Sequence, residues 1–390
     1  MRRYTVKRLD GQESLTSMVT SSDLQSGFQE LSSKLRQSVK LEHLFALADH
    51  NALLQHAKFS LPARREGYTV DDNARALVFA IKGRTLWPSK RLLELEHKLI
   101  SFLLVMQAED GRFHNFMDFS QRITDSPTVG DHVGRAIWAT GAAIQSEMTH
   151  GIKASARLMF DRALPWARES TSPRTKAYAC LGLHERLHVD TEDNNLRANL
   201  KIMADSLVDL YKTTRTPDWR WFENTLTYDN PRLSQALLAA HRSLGDKTYL
   251  AVAEESLRFL NDTTTIDQTF VPIGSDGWYP KGGGRALYDQ QPIEAGAMVE
   301  AAVLAYELTR SEAYEAALRQ ALGWFFGLNT KSVALYDDST GACYDGINQM
   351  GLNENQGAES TLAFLLAAET FIESFRKEDK DLSGRLRVSF

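Results

Sequence analysis

Apolar residues recur at i, i+3, i+4 and i+7 along most of the chain, the spacing of one face of an α-helix, and strand-like alternation is scarce. The stretch 24–59 reads as one or two amphipathic helices. Helical patterns then recur from NARALVFAIKG and SKRLLELEHKLISFLLVMQA through to SEAYEAALRQALGWFFGLN and AESTLAFLLAAETFIESFRK, giving about twelve helices that come in pairs. The first member of most pairs is rich in Ala, Gly and Ser, as in RAIWATGAAI, AYACLGL and EAGAMVEAAVLA. Small residues let helix axes approach closely, as a crowded inner ring requires. The second member carries more charge, as an outer ring facing water would.

Polar clusters stand just before the small-residue helices: GYTVDDNAR, SPTVGDHVGR, SPRTKAY, LTYDNPR, LYDQQPIE and NENQGAES. Pro231 and Pro292 suit the first helical position, where a missing N–H costs nothing, and Asn230 or Asp229 suits the N-cap. Six such pairs predict an all-α fold, an (α/α)6 toroid, whose parallel inner helices bring their polar starts to one funnel. The aperiodic stretches 263–289 and 330–356, with Gly, Pro, Trp and Tyr, read as loops or short β-hairpins at the funnel rim. The expected organisation is an extension over 1–22, a single toroidal catalytic domain over 23–377 and a polar tail over 378–390.

Composition narrows the function. Of 390 residues 43% are hydrophobic and 24% charged, with a net charge of -5, which gives no basic footprint for nucleic acid. No apolar run reaches a membrane span, and the N-terminus lacks the apolar core of a secretory signal. Cys180 and Cys343 are far apart and without metal-ligand spacing, which points to reduced thiols and a cytoplasmic setting. H-E-x-x-H, G-x-S-x-G, the P-loop and the dinucleotide fingerprint are all missing, so no metal or cofactor is expected.

The funnel collects Asp71, Asp72, Asp131, Glu223, Asp229, Asp289, Glu294, Asp345 and Glu359, with aromatics Tyr68, Trp219, Trp221, Tyr228, Trp278 and Tyr288. Gln290, Gln291, Asn355, Gln356, His132, Arg75 and Arg135 join them. Carboxylates and amides hydrogen-bond several hydroxyls, flat rings cover the apolar C–H face of a sugar, and paired carboxylates can cut a glycosidic bond. Each has a plainer alternative. An acid at a helix start caps it or complements its dipole, and buried tryptophans are core. The density of DWRWFENTLTYDN, with two tryptophans, Glu223, Tyr228 and Asp229 in one loop, is harder to assign to packing alone.

GYTVDDNARAL, HVGRAIWATG, DWRWFENTLTYDNPRLSQALL, YDQQPIEA and DGINQMGLNENQGAESTLAFL together resemble a group of bacterial proteins in the six-hairpin glycosidase superfamily, called glycosidase-like or glycosyltransferase-associated. The resemblance spans about residues 40–375. It implies an (α/α)6 fold and a sugar ligand, and tilts the substrate toward mannosides. The reading is a glycoside hydrolase acting from one end of a short oligosaccharide, inverting by analogy, which needs two carboxyls roughly 6.5–9.5 Å apart. Glu223, beside Trp221 and Phe222, is the first choice for a protonated acid. Asp72 or Glu294 is the base, with Asp289 in reserve. Asp71, Arg75, Asp229, Gln290, Gln291, Asn355 and Gln356 hold hydroxyls, while Trp219, Trp278 and Tyr68 form platforms. Two alternatives stand beside it: a sugar epimerase or isomerase, which would use histidines such as His132 or His114, and a non-catalytic glycan-binding partner of a glycosyltransferase. Arg75, Arg135 and Arg285 leave phosphorolysis open.

Overall fold

A computed structural model describes residues 24–376; the extension and tail expected at 1–22 and 378–390 lie outside them. Thirteen helices account for most of the described chain. Six are inner: α3 (Val70–Leu86), α5 (Asp131–Gln145), α7 (Pro173–Leu187), α9 (Pro231–Leu244), α11 (Pro292–Thr309) and α13 (Ala358–Phe375). Six are outer: α1 (Leu24–Ser38), α4 (Lys90–Met106), α6 (His150–Glu169), α8 (Asn194–Thr214), α10 (Lys247–Thr264) and α12 (Glu312–Phe325). Each inner helix packs on the next, α13 packs back on α3, and each packs on the outer helix that follows it, α13 on α1. This closes the (α/α)6 toroid that the pairing predicts.

The two rings are built from different sequences for a physical reason. α11 is buried on nearly every side, from Pro292 to Val303, so it has no polar stripe to give to water. α8 buries one stripe, including Leu196, Leu200, Met203, Leu207 and Tyr211, and leaves the rest to solvent. The small residues sit where inner helices touch. A Cβ on Gly182 of α7 would lie 2.4 Å from the Ile137 carbonyl of α5, and one on Gly141 would lie 2.4 Å from the Gly182 carbonyl. Gly296 of α11 meets α13 in the same way, at 2.6 Å from the Ala363 carbonyl.

The stretch 24–59 departs from its expected helicity. α1 and a six-residue α2 (Glu42–Leu47) form, and then the chain runs irregularly to Thr69. Asp49 is the cause: its Oδ1 accepts from the amides of Asn51 at 2.8 Å and Ala52 at 3.1 Å, a local turn that competes with helix. Two-residue hairpins at 57–58/61–62, 265–266/269–270 and 336–337/342–343, and a three-residue one at 346–348/351–353, decorate the loops, as does the pairing of 225–226 with 279–280.

Candidate active site

The first turns of α3 and α5 and the start of α13 open onto a cleft of about 610 Å³. α3 is fixed by Thr69, whose Oγ1 accepts from the Asp72 amide at 3.2 Å. The cap is therefore Thr69, whose hydroxyl in turn donates to Asp72 Oδ2 at 2.7 Å, while Asp71 takes no part in it. Asp71 and Asp72 both line the cleft, with Arg75, Asp131, His132, Arg135, Tyr228 and Glu359.

Two buried arginines organise these acids. Arg75 donates from Nη2 to Asp72 Oδ1 and to Glu359 Oε2, each at 2.9 Å. Its Nη1 is buried with no hydrogen-bond partner. Arg135 donates from Nη1 to Asp71 and lies 3.7 Å from Asp229 through Nη2. Asn115 donates to Asp71 at 3.0 Å. Asp131 accepts from Ser172 at 2.8 Å, Thr175 at 3.1 Å and the Tyr228 hydroxyl. His132 donates from Nε2 to the Phe113 carbonyl at 3.2 Å.

Electrostatics separates the consecutive aspartates. Burial pushes Asp71 up, but Arg135, Arg75 and His132 outweigh it and hold Asp71 below the ordinary aspartate value. Burial lifts Asp72 above that value; Arg75 pulls the other way, and the charges of Glu359 and Asp71 add to the rise. One carboxyl is kept anionic and its neighbour is moved toward protonation, the arrangement that acid–base chemistry requires. Four carboxylates against two arginines leave the cleft net negative. It suits a neutral polyol and disfavours a phosphate. Arg285 is no phosphate donor here, since its guanidinium donates to the carbonyls of Thr263 and Val271.

Of the residues expected in the funnel, eight meet in this cleft: Asp71, Asp72, Arg75, Asp131, His132, Arg135, Tyr228 and Glu359. The others are placed elsewhere. Glu223 does not line the cleft; its carboxylate takes bonds of 2.9 and 3.1 Å from Arg174 Nη1, and Trp221 and Phe222 are core. The rings that were to keep it protonated therefore do not surround it, and a cation does. Glu294 is 2% exposed. It accepts from the Asp229 amide and from Asn230 Nδ2 at 3.0 Å, so it caps α9 from the neighbouring helix. Asn230 makes no side-chain cap itself. Asp289 is exposed beyond the cleft lining.

Asp229 is fully buried among Tyr178, Arg135 and Arg232 beneath the cleft. Tyr68 is buried and donates to Asp49 at 2.6 Å, and Trp219 is core, donating to the Glu223 carbonyl at 2.7 Å. Neither offers a ring to a ligand. Trp278 is half-buried with its ring 6.5 Å from that of Tyr228, at the edge of the site. Gln290 accepts from Trp324 at 3.0 Å, and the Gln356 carbonyl bonds His43 at 2.8 Å. Asp345 caps α13 by accepting from Gly357 at 2.7 Å, and Asn355 accepts from the Phe59 amide at 3.0 Å. Gln291 stands at the α11 N-cap without a side-chain bond. These five shape the loops.

The cleft also holds Gln55, His56, Asn115 and Phe116, for which the sequence gives no role. Gln55 and His56 fall in the segment that reads as helix. Asn115 and Phe116 lie in a loop beside His114, whose only signal is its lack of periodicity. The aromatic rings lining the cleft are Phe116, 44% exposed, and Tyr228, one face of which carries the Arg174 guanidinium 4.7 Å from its centroid. Among the described residues no group of three His, Cys, Asp or Glu is placed to hold a metal ion, and no helix is long and apolar enough to cross a membrane.

No protein-family model and no curated protein matches the sequence. Solved structures do match in fold. A D-mannose isomerase superposes with a TM-score of 0.68 at 12% identity, covering 88% of this chain and 98% of that one. The cellobiose 2-epimerase from Bacillus thermoamylovorans gives 0.69 at 10% identity, covering 88% and 99%. An inactive variant of an α-1,6-mannanase from Salegentibacter, with two consecutive aspartates replaced by asparagine and α-1,6-mannotriose bound, gives 0.58 at 13% identity, covering 89% and 99%. The chain has the six-hairpin toroid fold that these proteins share.

Proposed function

We propose that the protein is a carbohydrate-active enzyme that cleaves a glycosidic bond near the end of a short, neutral saccharide. The observation that carries this reading is the pair Asp71–Asp72: consecutive on the first turn of α3, both lining the cleft, and pushed in opposite directions by their surroundings. Asp72 donates a proton to the leaving glycosidic oxygen. Asp71, held anionic by Arg135, takes a proton from the water that attacks the anomeric carbon as the bond to the leaving oxygen breaks. The unpartnered Nη1 of Arg75 is a donor that a sugar hydroxyl would satisfy. Phe116 and Tyr228 offer ring faces to the sugar's C–H surface. The mannanase above supports the assignment, since it is an inactive variant with a consecutive aspartate pair replaced. A mannoside is the first substrate to try. Reducing-sugar release from manno- and gluco-oligosaccharides, with and without phosphate, tests the reading. The expected result is phosphate-independent release that Asp72→Asn loses; release requiring phosphate would refute it.

A second reading is epimerisation or isomerisation of a free sugar. It is favoured by His56 and His132, which both line the cleft, and by the higher TM-scores of the isomerase and epimerase. It requires proton exchange at the carbon next to the carbonyl. Deuterium uptake from D2O at C2, lost in His132→Asn, would establish it in place of hydrolysis.

A further inference from the structure

The toroid has a second opening. At the end opposite the cleft, side chains from all six inner helices, most of them from the C-terminal halves, surround a cavity of about 430 Å³. Parallel helices that end together point their free carbonyls and the negative ends of their dipoles at one place, which favours a cation.

The carboxylates around this cavity are nearly all accounted for. Glu185 pairs with Lys82 at 2.6 Å, Glu300 with Arg232 at 2.6 Å and Glu307 with Arg242 at 2.7 Å, and Glu373 pairs with Arg376 at 2.7 Å. Glu369 is the exception. It is 4% exposed and lines the cavity. The hydrogen bond it receives comes from its neighbour Thr370, at 3.4 Å, and among the described residues no cation lies within ion-pair distance. A carboxylate this buried is normally paired. Here burial, with Glu373, Glu300 and Glu185 nearby, pushes it up to about 7 against the pull of Lys82. One part of the wall is apolar, from Trp138, Leu181, Val303 and Leu304; the rest holds His184, Gln235 and the cations Lys82 and Arg242, each cation already paired with its own glutamate. Such a cavity has room for a charge of one sign at one point and for methylenes elsewhere.

We propose that this cavity binds a small aliphatic amine, its ammonium on Glu369 and its carbon chain against Trp138 and Leu304. An inorganic cation would leave the apolar wall unused, and a second carboxylate is not free to help chelate it. The site lies at the far end of the toroid from the cleft, so it stands or falls independently of the reaction proposed above.

The test is calorimetry at pH 8 with n-butylamine and with putrescine, against KCl and MgCl2, on wild type, Glu369→Gln and Thr370→Lys. The expected result is saturable amine binding to wild type, at least ten-fold weaker in Glu369→Gln, with neither salt competing at equal concentration. Thr370→Lys tethers an ammonium next to Glu369. It should abolish amine binding and raise Tm, which shows that the variant is folded. Absence of amine binding by wild type, equal binding by Glu369→Gln, or displacement by KCl would each overturn the proposal. In the first case Glu369 holds only a proton.

Discussion

Asp71 and Asp72 share a helix turn but not an environment, and the difference lies in which arginine each one meets. Arg135 comes from α5 and takes Asp71; Arg75 comes from the same helix as Asp72 and is shared with Glu359. Replacing either aspartate with asparagine keeps the shape and removes the ionisable group. Each variant should turn over saccharide about 10²–10⁴-fold more slowly, the usual contribution of an acid or base, with its melting temperature close to wild type. Full activity in Asp71→Asn would exclude it from the chemistry. Glu294 makes a separate statement about pH. Burial, and then the charge of Asp229, raise it to about 8 in the folded protein, above the ordinary glutamate value, so the folded state holds the extra proton. The stability it contributes is complete below about pH 4 and is lost as pH rises through about 8. Melting temperatures of Glu294→Gln should therefore fall less steeply between those limits than wild type. A parallel decline in both would mean that Glu294 titrates as in the unfolded chain.

At the scale of the element, the inner helices are defined by what they cannot carry. Gly182 has no room for a methyl group against the Ile137 carbonyl, and that neighbour is backbone, which cannot swing aside. Gly182→Ala should destabilise by about 1–3 kcal/mol, the cost of overpacking, read as a lower midpoint in urea; a midpoint within error of wild type would show that α5 and α7 can separate at no cost. The same small residues made the inner ring legible in the sequence, because RAIWATGAAI and AYACLGL have no other economical use. Helix starts were legible where Pro231 and Pro292 mark them. The site was legible only in part. Asp71, Asp72, His132 and Glu359 sit on first turns and Arg75 and Arg135 one turn further along, so the start of each inner helix brings them together. Glu223 lies near Trp221 in sequence but not in the same surroundings. In the structure the tryptophan turns into the core and the glutamate turns to Arg174, a partner 49 residues away that no local pattern announces. His56 and Asn115 lie on loops carried to the cleft by tertiary contacts, including the pairing of 68–69 with 116–117.

The whole molecule is a ring with two unlike mouths. Helix starts, with their free amides, face one end, and acids gather there naturally. Helix ends face the other, where Glu369 lines a cavity without an ion-pair partner among the described residues. The architecture explains why a net-negative cleft is stable at the N-terminal mouth, and a polyol is the ligand class that such a cleft holds without adding charge. The most direct test of this account is to incubate the wild-type protein with a panel of manno- and gluco-oligosaccharides in D2O and follow the anomeric and C2 protons by NMR. A glycoside hydrolase gives new reducing-end anomeric signals from at least one substrate, with C2 protons retained. Spectra unchanged across the panel, or loss of the C2 signal without bond cleavage, would contradict that activity.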